Sequence, residues 1–292
     1  MLKKSGWSPK EDPRVRDEFS KIHMKLRQWA RNYGVLAFED IEEVPAAEKD
    51  RIIGLLDGYS FETDWKTLIT KASIPRNKIP AILLQSLLAK DVFEWVFGDP
   101  FFSFAEIDNT SSLPNSKEWK HVYREMIKVD EPEAHIWRSQ TLRILSTVTN
   151  PSTESHLARR IRLLSSQKAA GFLTSPASLL LRQASKPGSG DKCTQDVQKL
   201  YHEVAEFALL LWTQRTFIKL YSQHELPKFY ISNPKTEAHS LHHLDEDDTR
   251  LDGKDVLLFV QPAVVAFGNE DAENYDRSKI WAPATVMVDE RS

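Results

Sequence analysis

The densest set of potential ligands in the chain is His239, His242 and His243, followed by Asp245, Glu246, Asp247 and Asp248. Imidazole with carboxylate is a donor set that zinc and related cations accept. His239 and His243 stand four apart, which brings two rings together only on a helix, and this segment has weak helical signals. A solvated acidic linker is the expected reading. His239, His243 and Asp245 are the residues a metal would use, but no metal or other cofactor is expected.

A second set is scattered along the apolar-periodic segments: His23, His135, Arg138, Gln214 and Arg215. Helical spacing would carry these five polar side chains into the interior, where they could line a pocket built from distant positions. The alternative role for each is a core polar group satisfied by a hydrogen bond. No catalytic residue is assigned, because the chain has no Gly-x-Ser-x-Gly, His-Glu-x-x-His, Walker or Cys-x-x-Cys pattern.

Other patterns fail on their chemistry. A calcium-loop register starting at Asp248 puts Arg250 at a ligand position and Phe259 where a closing Glu belongs; one starting at Asn269 ends on Ile280. The run from Trp7 to Asp12 opens like a Myb repeat, but after Trp29 the next tryptophan is Trp65, too far along for that spacing. Arg159, Arg160, Arg162 and Lys168 form a basic stretch with no interleaved aromatics, read as a solvated face. Cys193 is the one cysteine, so no disulfide closes within the chain, and its polar surroundings suggest no catalytic role. Asn109 begins a glycosylation pattern that carries no weight without a secretion signal.

The elements that must position such residues belong to a globular chain. The sequence has 292 residues, 41% hydrophobic and 28% charged, with fourteen Phe, eight Trp and seven Tyr for a core. Ten glycines are too few for an all-β fold rich in tight turns. The net charge of −3 gives no drive toward nucleic acid, so that partner is not expected. The charge is uneven: residues 233–292 hold thirteen Asp/Glu against six Lys/Arg, a net of −7, leaving the first 232 residues at +4. The start of the chain lacks the apolar run of a signal peptide, and no apolar stretch is long enough to span a bilayer. A cytoplasmic location is expected, with the nucleus left open, and no membrane partner.

Helical periodicity dominates. Asp12 reads as an N-cap before Pro13; Phe19, Ile22, Leu26, Ala30 and Tyr33 form one stripe, and Gly34 reads as a left-handed stop. Short helices are expected at about 47–56 and 64–70. A helix after Pro80, apolar nearly all round from Ile82 to Phe97, belongs in the middle of the fold, with Leu84 in the core. Phe101, Phe102 and Phe104 should pack on it. Further helices are marked by Trp119 to Ile127, by Ile136 to Val148, and by the segment following residues 150–152. A flexible stretch is expected at 184–192. The longest helix should run from 195 to 223, with Phe207, Leu211, Arg215 and Ile218 on its core face. Residues 256–260 with 264–267 read as a strand pair or as one strand broken at Pro262, and 284–288 as another strand. The expected fold is mainly α: a multi-helix bundle over residues 1–232, an acidic linker over 233–255, and a β-hairpin element over 256–292 docked on the helices.

Several landmarks resemble a group of filamentous-fungal proteins of unknown function. They are the opening helix with residues 25–30 (Lys-Leu-Arg-Gln-Trp-Ala), Val92-Phe93 and the following Pro100-Phe101-Phe102, and residues 137–141 (Trp-Arg-Ser-Gln-Thr). Near the end come residues 260–264 (Val-Gln-Pro-Ala-Val), then Gly268, Tyr275-Asp276 and residues 284–286. The likeness covers most of the chain loosely. It implies a helical body with a short β-rich end and a fungal source, and brings no activity, cofactor or site residue.

With abundant core pattern and no chemical constellation, the expected function is that of a non-enzymatic interaction or scaffold protein, with an edge of the C-terminal strands able to pair with a partner or a second copy. The alternatives are a small-molecule binder or enzyme with a polar pocket inside the helices, and a nucleic-acid-associated regulator.

Overall fold

The computed structural model describes residues 9–72, 74–106, 113–147, 155–182 and 189–291. Trp7, Asn109, Val148, residues 150–152 and residues 184–188 lie outside them. Among the described residues, nine α-helices precede two three-stranded sheets, so the chain is mainly α.

Helix α1 (Asp12–Tyr33) buries Phe19, Ile22, Leu26 and Ala30, the stripe expected from spacing. Its ends differ from expectation. Glu11 holds the N-cap position, and Asp12 is the first helical residue. The Asp12 carboxylate instead accepts from Trp281 Nε1 at 3.0 Å and pairs with Lys279 Nζ at 2.7 Å, tying the helix to a distant strand. Gly34 is extended, not left-handed, at φ −67° and ψ 150°. A Cβ there would lie 2.6 Å from the Ala30 carbonyl oxygen, so close approach rather than handedness calls for glycine.

Three short helices follow: α2 (Glu39–Glu42), α3 (Ala46–Gly54) and α4 (Trp65–Lys71), the last capped by Asp64, which accepts from Thr67 N at 2.8 Å. Helix α5 (Ile79–Phe97) is central. Fourteen of its 19 residues are buried, Leu84 completely, and it packs against α1 on one side and the second sheet on another. Phe101, Phe102 and Phe104 are buried just beyond it. Then come α6 (Ser116–Val129), opened by a capping box of Asn115 and Glu118, α7 (Glu131–Ser146), α8 (His156–Thr174) and α9 (Ser189–Trp212).

Helix α9 stops eleven residues short of its expected end at Gln223. Leu211 is fully buried on it, whereas Phe207 is half-buried, its ring edge-on to Phe19. Residues 216–221, Thr-Phe-Ile-Lys-Leu-Tyr, are β-branched or aromatic at four of six positions and form strand β1 (Phe217–Tyr221). Ile218 is still buried, since its distance from Leu211 suits a helix by coincidence.

The other strands are β2 (Thr236–Ala238), β3 (Val256–Gln261), β4 (Ala263–Phe267), β5 (Ser278–Ala282) and β6 (Ala284–Val288). A single hairpin is replaced by two sheets, ordered β1-β4-β5 and β2-β6-β3. Strands β3 and β4 do not pair with each other. They are two halves of one stretch that changes sheet at Pro262, while β5 and β6 do the same at Pro283. The register places Gln261 opposite Thr285 and Val264 opposite Ala282, so Pro262 falls beside Ala284 and Pro283 beside Ala263, diagonally across the break, where neither proline offers an N–H.

Residues 233–255, read from composition as a linker, carry β2, a 3₁₀ turn at Ser240–His242 and buried Leu251. The acids at 245–247 face solvent while neighbouring side chains anchor inward. Composition averages over that division of labour. No helix among the described residues is long and apolar enough to cross a membrane.

Candidate functional site

Four of the five candidate pocket residues converge. Helix α7 begins with Asp130 capping Glu133 N at 3.0 Å, and its three- and four-residue spacing puts Ala134, His135, Arg138, Ser139 and Leu142 on its buried face. That face meets the turn between α9 and β1. Arg138 Nη2 donates to the carbonyls of Gln214 (2.6 Å) and Thr216 (3.0 Å), and Ser139 Oγ donates to that of Thr213 (2.6 Å). A helix end leaves such carbonyls unpaired and partially negative, so a cation and a hydroxyl from α7 satisfy the end of α9. The guanidinium lies 5.1 Å from the Trp212 ring centroid and 5.8 Å from that of Tyr123, and Arg138 is 0% exposed.

His135 is equally buried. Tyr123 Oη and His135 Nδ1 share a hydrogen bond of 2.5 Å, which commits that ring nitrogen to the tyrosine. Burial, with the Arg138 charge adding to it, lowers the His135 pKa to about 3, so the ring is neutral at pH 7. Its faces meet Tyr275 at 4.4 Å and Phe217 at 5.4 Å between centroids. Tyr275 Oη donates to the Arg215 carbonyl at 2.8 Å, and burial raises its pKa. Gly268, at φ 75°, makes room for this ring: a Cβ there would lie 2.4 Å from Tyr275 Cε1.

Gln214 and Arg215 complete the cluster from the same turn. Gln214 Oε1 accepts from Lys10 N at 3.3 Å, and Arg215 Nη1 donates to the Glu270 carbonyl at 3.2 Å. Spacing could not have assembled Tyr123, Thr216 and Tyr275 with α7, since α6, β1 and the β4–β5 connection bring them in from afar.

The fifth candidate, His23, stands apart. Its Nδ1 is 2.7 Å from Gln261 Nε2, joining α1 to β3, and burial lowers its pKa to about 3. The metal candidates do not assemble either. His239 is buried and its Nδ1 accepts from Leu241 N at 3.3 Å, while His243 and Asp245 are exposed. Between them, His242 accepts from Val288 N at Nε2 (3.0 Å) and meets Glu290 at Nδ1 (2.7 Å), so both its nitrogens are committed to holding the segment on β6. Among the described residues no group of three His, Cys, Asp or Glu could hold a metal ion.

The basic stretch on α8 is partly structural: Arg160 donates to the carbonyls of Ser103 (2.9 Å) and Ala105 (2.7 Å). The Cys193 thiol is half-buried, and burial raises its pKa to about 11, the opposite of an activated thiolate.

A groove of about 680 Å³ lies between α5 and α8. Leu87, Trp95, Leu164 and Phe172 supply apolar surface, and Asp91, Glu94, Glu106, Lys90 and Lys168 the polar walls. Lys90 pairs with Glu94 at 2.9 Å. Asp91 accepts from the Tyr201 hydroxyl and Glu106 from the Asn115 amide, both neutral donors. Gly171 on α8 lines the groove, and a Cβ there would meet nothing within 4 Å.

Two of the sheet edges, those of β3 and β5, are partly covered. Strand β6 is central, and the outer side of β3 takes bonds from Phe259 N to the Tyr59 carbonyl (2.8 Å) and from Gln223 Nε2 to the Val256 carbonyl (3.0 Å). Arg16 Nε reaches the Ile280 carbonyl on β5 at 3.1 Å. Comparison with protein-family models, curated proteins and solved structures gives no match, so the functional reading rests on this geometry.

Proposed function

We propose that the protein is a non-enzymatic interaction protein whose α5–α8 groove receives a basic, amphipathic peptide segment of a partner protein. The observation that carries this reading is the groove's chemistry. Apolar side chains line it, and two of its three carboxylates, Asp91 and Glu106, are bonded to neutral donors. An apolar stripe with a lysine or arginine on its flank would match both features, in the manner of helix-in-groove recognition. The polar cluster supports binding or structure rather than catalysis, because Ser139 Oγ is committed to a carbonyl and His135 Nδ1 to a tyrosine.

A second reading is a small-molecule binder using the same groove, favoured by a volume within the roughly 300–1,000 Å³ common for such sites. Hydrogen exchange with a Leu/Lys amphipathic peptide and its Leu/Glu counterpart tests the first. Protection of α5 and α8 by the Leu/Lys peptide alone is expected. Protection by neither peptide, or by both alike, would remove the peptide reading.

A further inference from the structure

We propose that the cluster around Arg138 is a binding site for a small oxyanion, a phosphate or carboxylate group carried by a small molecule. The site is separate from the α5–α8 groove and does not depend on the reading of that groove.

The argument begins with charge. A guanidinium stays protonated in a protein, and removing one from water is costly unless charge or hydrogen bonds compensate. Arg138 is fully buried, yet no carboxylate lies within 4.0 Å of it among the described residues; two carbonyls and two aromatic faces stand in. Arg215 too bonds a carbonyl, that of Glu270 at 3.2 Å, and has no carboxylate within 4.0 Å among the described residues. Arg143, one turn beyond Ser139 on α7, donates from Nε to the Ser139 carbonyl at 3.2 Å and is not part of the site. Burial and then the charge of Arg215 lower its pKa. Glu131 is half-exposed, and its carboxylate lies 3.6 Å from His135 Nε2.

Unused hydrogen-bonding capacity collects at the same place. Arg138 Nε and Nη1, Arg215 Nε, His135 Nε2 and Thr216 Oγ1 are all buried without a hydrogen-bond partner. Orphaned donors of this kind are rare in folded proteins and call for an occupant. Three are guanidinium N–H groups, joined by an imidazole nitrogen and a hydroxyl, so the set matches an acceptor with several lone pairs. The planar fork of arginine suits the two or three oxygens of a carboxylate or phosphate. Ordered water would satisfy the geometry but leave the buried Arg138 charge without a counter-charge. Arg215 and Tyr275 of the same cluster are partly exposed, Tyr275 packing on His135 and bonding the Arg215 carbonyl, so the cluster reaches the surface through them.

Calorimetric titration of the full chain with inorganic phosphate, and separately with malonate, tests the proposal. One-to-one saturable binding of at least one of them is expected, with a rise in melting temperature; which one binds distinguishes phosphate from carboxylate. Arg138→Gln should abolish binding but risks the fold. Arg215→Gln, at a half-exposed position, should keep the wild-type melting temperature in ligand-free buffer and weaken binding at least tenfold. Absence of saturable heat with both anions, or equal affinity in wild type and Arg215→Gln, would overturn the site.

Discussion

Arg138 and Trp212 lie 5.1 Å apart, guanidinium to ring centroid, at the point where the last turn of α9 gives way to β1. The same guanidinium holds the carbonyls of Gln214 and Thr216, so one side chain of α7 fixes where the longest helix stops and where the first sheet starts. Replacing Arg138 by Ala strands two carbonyls and opens a cavity between two aromatic rings. A loss of roughly 2–4 kcal/mol is expected. Arg138→Lys should recover only part of it, because an ammonium cannot keep both the stacked plane and the fork. Urea midpoints for the two variants check this; a midpoint equal to wild type in Arg138→Ala would show that the contacts add nothing.

Three histidines resist protonation in the folded state: His23 and His135 have pKa values lowered to about 3 and His239 to about 4, in each case with burial the largest cause. Unfolded, each takes up a proton near pH 6.5. Between those limits the unfolded chain binds more protons, so stability is full above about pH 6.5 and falls as pH drops toward 4. Each histidine contributes at most about 1.4 kcal/mol per pH unit within its window. His135→Phe, which keeps an aromatic ring against Phe217 and Tyr275, should flatten the slope between pH 6 and pH 4.5. Denaturation curves across that range measure it, and an unchanged slope would contradict the assignment.

Gly268 and Tyr275 make a third test. Alanine at 268 is strained by a φ of 75° and collides with the tyrosine ring, so Gly268→Ala should cost roughly 1–3 kcal/mol. The double variant Gly268→Ala, Tyr275→Ala relieves the clash but not the backbone strain. A double-mutant cycle should therefore show favourable coupling between the two changes; purely additive melting shifts would deny the contact.

The sequence made the helical body legible where one face had to be buried: the stripe of α1 and the all-round apolarity of α5 leave few other solutions. The α9–β1 boundary was not legible, because Leu211 and Ile218 satisfy helical spacing while β1 takes its structure from pairing with β4. The acidic run at 245–248 concealed the inward anchors His239, His242 and Leu251. Helix periodicity flagged His135 and Arg138 as inward-facing polar residues. Their partners Tyr123, Thr216 and Tyr275 come together only through long-range packing.

The groove reading turns on Gly171, whose missing side chain leaves space between α5 and α8. Phenylalanine there adds bulk to the groove from an exposed helical position, where losing glycine favours the helix by up to about 1 kcal/mol. The decisive measurement is fluorescence anisotropy of a labelled Leu/Lys amphipathic peptide titrated with wild type and with Gly171→Phe. Saturable binding to the wild type is expected, weakened at least tenfold in a variant that melts no lower. Equal affinity for the two proteins, or no binding to the wild type, would contradict the assignment of the groove as the interaction surface.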